Sequence, residues 1–331
     1  MQSTKVSPPS ETSPSVAWRS LVRRSIKAWG SRTPQEAPDL EKELLQYTDL
    51  NHFLDEPPEY VFWMFQRRKT FLSQKRMTKW SSDRLDDYVL FPASNGFVTR
   101  DECVFVSHFW QESDDPDPSG KYLRLVQNDL KKLSWSYVWV DWSCIPQHPR
   151  NEKEEAYFVR SLQTMSGIIR NCTFMWCYPP FEPRLLILYE IAEYTLTCDD
   201  GLQGNIEEDI ETFADHIDKM LNLGVDTVLN EYGYKCTHNR DKEFLTSWLE
   251  VLVLLRNLSL DTDDVRRLLD HLTWSPSTEV IILGTQSGLV VSCRFEGTLT
   301  LNGVPYGFTP FPKWVSSLSS RLSYYLLNNI K

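Results

Sequence analysis

The chain has 331 residues, 41% of them apolar, and sets 45 Asp and Glu against 35 Lys and Arg for a net charge of −10. This is ample apolar content for the core of one large domain or two. The acidic balance argues against nucleic acid as a partner, since phosphate binding needs a basic face. Seven scattered cysteines with no Cys-x-x-Cys pair predict reduced thiols inside a cell. With no apolar run of transmembrane length and no secretory apolar core near Met1, the expectation is a soluble, cytoplasmic protein.

Residues 1–38 form a first unit. Met1–Pro14 is rich in Ser, Thr and Pro and is predicted to be disordered. From Ser15 to Arg32, Trp18, Leu21, Val22, Ile26 and Trp29 recur at helical spacing, with Arg19, Arg23, Arg24 and Lys27 opposite. Three fates fit this basic amphipathic stretch. It can dock on its own domain, lie on a membrane or direct the chain to mitochondria, or bind a partner or second copy. Residues 39–100 read as a helical lead-in. The pattern is helical from Leu40 to Lys79 with a break at Pro57-Pro58, and Tyr60, Phe62, Trp63 and Phe65 pack against a sheet. An extended stretch from Asp86 to Thr99 turns at Asn95-Gly96.

Residues 101–200 carry an α/β pattern. Val104–Trp110, Tyr137–Asp141 and Thr173–Tyr178 are apolar runs of strand length. Amphipathic stretches alternate with them, one with Leu123, Val126, Leu130 and Leu133 inward, the next with Val159, Leu162, Met165 and Ile169. Arg184–Leu196 closes the unit. The alternation predicts a parallel sheet flanked by helices. Ligands of such sheets sit beyond the carboxyl ends of the strands, where strand order reverses. Ser107, His108, Asp141 and Tyr178 fall at those ends.

Residues 201–331 are predicted to be mainly helical, over Ile206–Leu223, Asp241–Leu258 and Asp261–Leu272. A small β-hairpin joins Glu279–Leu283 to Leu289–Phe295, and Thr298–Leu301 adds a third strand. A terminal helix from Trp314 to Ile330 is apolar enough to dock.

Three segments of the middle unit carry a family resemblance. Val106-Ser107-His108-Phe109-Trp110, the run from Val138 through Asp141-Trp142-Ser143-Cys144-Ile145-Pro146 to Gln147, and Met165-Ser166-Gly167-Ile168-Ile169-Arg170-Asn171-Cys172 resemble successive blocks of the fungal heterokaryon-incompatibility (HET) domain. Arg184 to Glu190 keeps the Arg-to-Glu spacing of the family's next block, with Leu186 in place of its Trp and Tyr189 in place of its Gln. HET domains are similar to TIR domains, some of which cleave NAD with a glutamate on the helix after the third strand. Glu190 matches that place. The resemblance implies a TIR-like, flavodoxin-type parallel sheet, self-association, and a role in fungal self/non-self recognition or programmed cell death. It also implies NAD as a substrate, with no other cofactor required. It spans under a third of the chain. The same residues fit a non-enzymatic TIR-like module that binds a partner protein, or an accessory protein of a biosynthetic or defence gene cluster.

Glu190 has Ile187, Ile191 and Tyr194 beside it. A carboxylate so placed is either catalytic or ion-paired, with Arg184 or another arginine, because burying it alone is costly. Glu193 is expected to be solvated. In NAD cleavage the nicotinamide departs neutral, so the protein need only stabilise an oxocarbenium-like ribose, which one carboxylate can do. Trp110, Trp142, Tyr178 and Tyr189 are candidate stacking partners for the leaving ring, or core aromatics. Asp141 is a ribose ligand or a loop cap, and Ser107 and His108 are donors for a pyrophosphate.

Cys144 has His148 nearby but no orienting partner for nucleophilic chemistry. Asp115–Gly120 begins like a calcium loop, yet Val126 occupies the position of its bidentate glutamate. Cys236/His238 and Cys172/Cys177 lack metal-site spacing, so no metal is expected. Glycine-rich phosphate loops and the Gly-x-Ser-x-Gly elbow are missing from the sequence.

Overall fold

The computed structural model describes residues 15–30, 37–55, 61–94, 96–112, 114–177, 181–198, 208–236, 239–258, 260–274 and 278–313. The predicted disordered start, Asn95, Tyr178 and the terminal helix from Trp314 lie outside the described residues.

Ser15 caps α1 (Val16–Trp29), its Oγ accepting from Trp18 N at 3.2 Å. The apolar stripe of α1 turns onto the chain itself, with Trp18, Leu21, Val22 and Trp29 buried. Trp18 Nε1 donates to Tyr47 O at 2.7 Å, between α2 (Ala37–Leu45) and α3 (Leu50–Asp55). Of the three fates open to this helix, docking on its own domain is the one observed for its apolar face.

The stretch read as helical from Leu40 to Lys79 is interrupted by a strand, β1 (Phe62–Arg67), before α4 (Arg68–Ser73). The correction has a plain cause. Phe62, Trp63, Met64 and Phe65 are all buried, so both faces of the run are covered. An apolar run without a polar side has no period that separates helix from strand. The extended lead-in becomes β2 (Tyr88–Pro92), paired antiparallel to β1. As the edge strand, β2 would leave backbone groups open to pairing with another chain. Helix α1 closes that edge at Leu90, whose N–H goes to Ser25 Oγ at 2.8 Å and whose O accepts from Trp29 Nε1 at 2.7 Å.

The α/β unit follows as β3 (Cys103–His108), α5 (Lys121–Leu130), β4 (Tyr137–Trp139), α6 (Asp141–Cys144), α7 (Glu152–Asn171), β5 (Thr173–Cys177) and α8 (Leu185–Thr197). The sheet runs β2-β1-β4-β3-β5. β3 is parallel to both β4 and β5, and β1 is antiparallel to β4. The parallel strands predicted from sequence are thus present in a mixed sheet, with two antiparallel strands from the segment read as a lead-in. Because β3 lies between its two successors, the chain leaves it first to one side and then to the other. Right-handed crossovers therefore put α5 and α7 on opposite faces. Val104 and Val106 pack with Leu123, Val126 and Leu130 of α5. Cys103 and Phe105 share the other face with Met165, Ile168 and Leu188.

After α9 (Glu208–Leu223), α10 (Val225–Glu231), α11 (Asn239–Asn257) and α12 (Thr262–Trp274), the chain forms an antiparallel sheet in the order β6-β7-β8-β9. Its strands are β6 (Val280–Thr285), β7 (Gly288–Cys293), β8 (Thr298–Leu301) and β9 (Val304–Gly307), so the expected hairpin and third strand gain a fourth. Among the described residues no helix is long and apolar enough to cross a membrane.

A buried ionic cluster ties the C-terminal helices to the first sheet. Arg170 of α7 reaches Glu193 of α8 at 2.5 Å and Asp270 of α12 at 2.8 Å, and both Arg170 and Glu193 are fully buried. Trp248 Nε1 of α11 donates to the second Glu193 oxygen at 2.5 Å, and Thr273 accepts from Arg170 at 3.0 Å. Burial works against the Arg170 charge, but the Glu193 and Asp270 carboxylates outweigh it and hold the guanidinium above its ordinary range. Glu193 is therefore not the solvated residue the sequence suggested.

Candidate functional site

The reversal of strand order falls between β3 and β5, and the residues at the carboxyl end of β3 differ by face. Successive strand side chains point to opposite sides. Ser107 shares the α8 side with Phe105, and His108 shares the α5 side with Val106. Each meets a carboxylate.

On the α8 side, the Ser107 hydroxyl makes a close hydrogen bond to Glu190 Oε2. Glu190 is only 5% exposed. Burial pushes its carboxyl well above the ordinary range, the Ser107 hydrogen bond pulls it partly back, and the negative charge of Asp141 adds to the rise. Among the described residues no arginine or lysine pairs with it. The ion-pair alternative named Arg184 as partner, but that side chain sits 4.3 Å over the Phe109 ring and reaches Glu182 at 3.5 Å. The buried arginine of this region, Arg170, is committed to Glu193.

On the α5 side, Asp141 begins α6 directly after β4. Its Oδ1 accepts from His108 Nε2 at 2.9 Å and from the Trp142 amide at 2.5 Å, and its Oδ2 accepts from Trp110 Nε1 at 3.0 Å. The capping role is thus present, together with a clamp by His108 and Trp110 that no local pattern foretold. His108 Nδ1 is buried and has no hydrogen-bond partner among the described residues. The Trp110 ring lies nearly parallel to His108 at 6.3 Å and edge-on to Trp142 at 5.2 Å.

The structure therefore brings Ser107, His108, Trp110, Asp141 and Trp142, at or just beyond the ends of β3 and β4, near Glu190 of α8. Tyr189 is excluded from this group. It is fully buried in the main core, where Leu185, Leu188 and Ala192 of the same helix also lie, and offers no ring face to a ligand. Burial raises its hydroxyl well above the ordinary range. Cys144 is likewise buried, which pushes its thiol up to about 12 and removes the thiolate a nucleophile needs.

The residues that sequence reasoning missed are Arg170, Asp270 and Trp248. One signal for Glu193 was available. Leu185 to Tyr194 is apolar on all sides of the helix, so both of its acids had to be buried.

Among the described residues no three His, Cys, Asp or Glu side chains converge as metal ligands. Shallow depressions at Glu41–Gln46 and beside Lys313 contribute nothing to this cluster. In comparisons with family models, curated proteins and solved structures, no significant match to the chain was found.

Proposed function

We propose that this cluster is the active site of a heterokaryon-incompatibility-type, TIR-like protein that cleaves NAD to nicotinamide and ADP-ribose, with Glu190 as the catalytic carboxyl. The observation that carries the reading is a buried carboxyl with no cation beside it among the described residues, at the point where the parallel strands reverse order. The order β4-β3-β5, with the first strand in the middle, agrees with a flavodoxin-type sheet. The HET-like blocks at Val106–Trp110 and Val138–Gln147 supply the residues at its tips.

The raised carboxyl fits the chemistry. Burial favours the protonated form of Glu190, and the cationic nicotinamide ring, like any opposite charge, favours its ionisation on arrival, the proton passing to solvent water as the ligand enters. As the C1′–N bond breaks, its electron pair goes to the ring nitrogen and the nicotinamide leaves neutral. The carboxylate stabilises the cationic ribose. Water then bonds to C1′, its proton passes to Glu190, and the resting state returns. Trp110 lines the α5 side as a stacking surface, backed edge-on by the buried Trp142, and His108, Ser107 and Asp141 offer polar groups to ribose or phosphate oxygens.

A second reading follows from the near-complete burial of Glu190. In a non-enzymatic interaction module, the Ser107–Glu190 pair would only fasten α8 to β3. One assay separates the two. Purified full-length protein, dilute and artificially clustered, is incubated with NAD and nicotinamide release is followed. Release that disappears in Glu190→Gln, with folding retained, supports the hydrolase. Wild-type protein silent in every assembled state, or a Glu190→Gln variant as active as wild type, sinks it.

A further inference from the structure

A dinucleotide brings two phosphate charges to a cluster whose acids, Glu190 and Asp141, repel them when ionised. Ser107, His108, Trp110 and Trp142 supply no permanent positive charge, so a cation is needed at the strand tips. Lys79 and Arg184 each lie over an aromatic ring there. Lys79 Nζ is 5.3 Å over Trp142, but it already donates to the His148 carbonyl. The Arg184 guanidinium is 4.3 Å over Phe109, the residue that follows His108 at the end of β3.

Arg184 has a fixed backbone and a side chain open to a ligand. Its segment bridges to Lys235, with Leu185 N donating to Lys235 O at 2.9 Å and Lys235 N to Pro183 O at 2.8 Å. The side chain is 41% exposed, and the carboxylate it meets, Glu182, stands 3.5 Å from Nε and is itself 55% exposed. So wet a pair contributes little. Among the described residues no hydrogen bond occupies either Nη group. Arg184 immediately precedes α8 and Glu190 lies six residues further on, so a rise of about 1.5 Å per residue puts them about 9 Å apart along the axis. A nucleotide spans a distance of that order between its glycosidic carbon and its phosphate. The first turn of α8 has no acid, and the helix dipole adds to the same positive field.

We propose that Arg184 is the phosphate-binding residue of this site. Its Nη groups hold the phosphate nearest the nicotinamide ribose, while Glu190 faces the carbon from which nicotinamide leaves. The inference rests on the NAD-cleaving reading and adds a preference to it. The site selects nicotinamide dinucleotides over nicotinamide riboside, because the riboside has no phosphate for the guanidinium to hold.

The test is equilibrium binding to full-length Glu190→Gln protein, in which NAD should persist, followed by calorimetry with NAD and with nicotinamide riboside. Adding Arg184→Gln should weaken NAD by about tenfold or more, the scale of a lost charge-assisted hydrogen bond, and leave nicotinamide riboside within about twofold. Arg184→Lys should recover part of the NAD affinity, since an ammonium keeps the charge and loses the fork. Unchanged NAD binding in Arg184→Gln overturns the proposal. So does equal weakening of both ligands, which would make Arg184 a structural residue of α8. Glu190→Gln protein that binds neither ligand with Arg184 intact overturns the active-site reading itself, so the two failures are told apart.

Discussion

Glu190 and Glu193 stand three residues apart on α8, both almost wholly buried, and they meet burial in different ways. Burial raises both carboxyls, but at Glu193 the Arg170 guanidinium and the Trp248 indole pull back against it, whereas Glu190 has a serine hydroxyl alone to do so. The first arrangement makes structure. The second leaves a group whose ionisation a ligand can change.

Glu190 should make stability depend on pH. Its folded-state pKa lies above that of the unfolded chain, so its contribution is complete below about pH 4.3 and is lost progressively as pH rises toward the folded value. In that window the native state binds the extra proton, and stability falls by up to about 1.4 kcal/mol per pH unit. Glu190→Gln removes the effect. Thermal unfolding from pH 5 to pH 8 should show the variant gaining on wild type as pH rises, and parallel curves would refute the assignment.

Removing Arg170 should be the most damaging single change at the ionic cluster, because Arg170→Met leaves two buried carboxylates, Glu193 and Asp270, facing each other. Breaking one partner from a buried pair costs about 3–5 kcal/mol. Urea unfolding of the full chain should show a loss of that size. A loss no larger than for exposed Lys132→Met would mean the cluster is not closed to water.

Gly167 sits inside α7, where helix propensity alone favours alanine by about 1 kcal/mol. The structure reverses that sign. A Cβ at this position would come 2.9 Å from Trp63 Cη2 and 3.2 Å from Thr273 Cγ2. Trp63 is pinned by its hydrogen bond to Thr164 at 2.8 Å and cannot yield freely. Gly167→Ala should therefore destabilise by about 1–3 kcal/mol, as overpacking does. A stabilised variant in the same urea titration would show the contact to be loose.

The edge closure at Leu90 can be read by hydrogen exchange. Ser25→Ala leaves the Leu90 N–H without its acceptor, and an unsatisfied buried group costs about 1–3 kcal/mol. Exchange at Leu90 should accelerate more than at Met64, its partner in β1. Equal acceleration would mean that α1 stabilises the sheet only as a whole.

The strands at 103–108, 137–139 and 173–177 and the helix at 185–197 were legible in the sequence because each carries its own signal, an apolar run or a repeat of fixed period. The same local signals determined that α1 has an apolar face, and that Ser107, His108, Asp141 and Glu190 lie at strand ends or on the following helix. What covers a face, or which charge meets which, depends on residues far apart in the chain. Only the tertiary structure could put Trp29 on Leu90, join β1 to β4 or bring Asp270 to Arg170, a hundred positions away. Local periodicity says where a side chain points. The free energy of burying a charge is decided by whatever the fold places opposite it, and for that reason Glu193 and Glu190, near neighbours on one helix, came to differ.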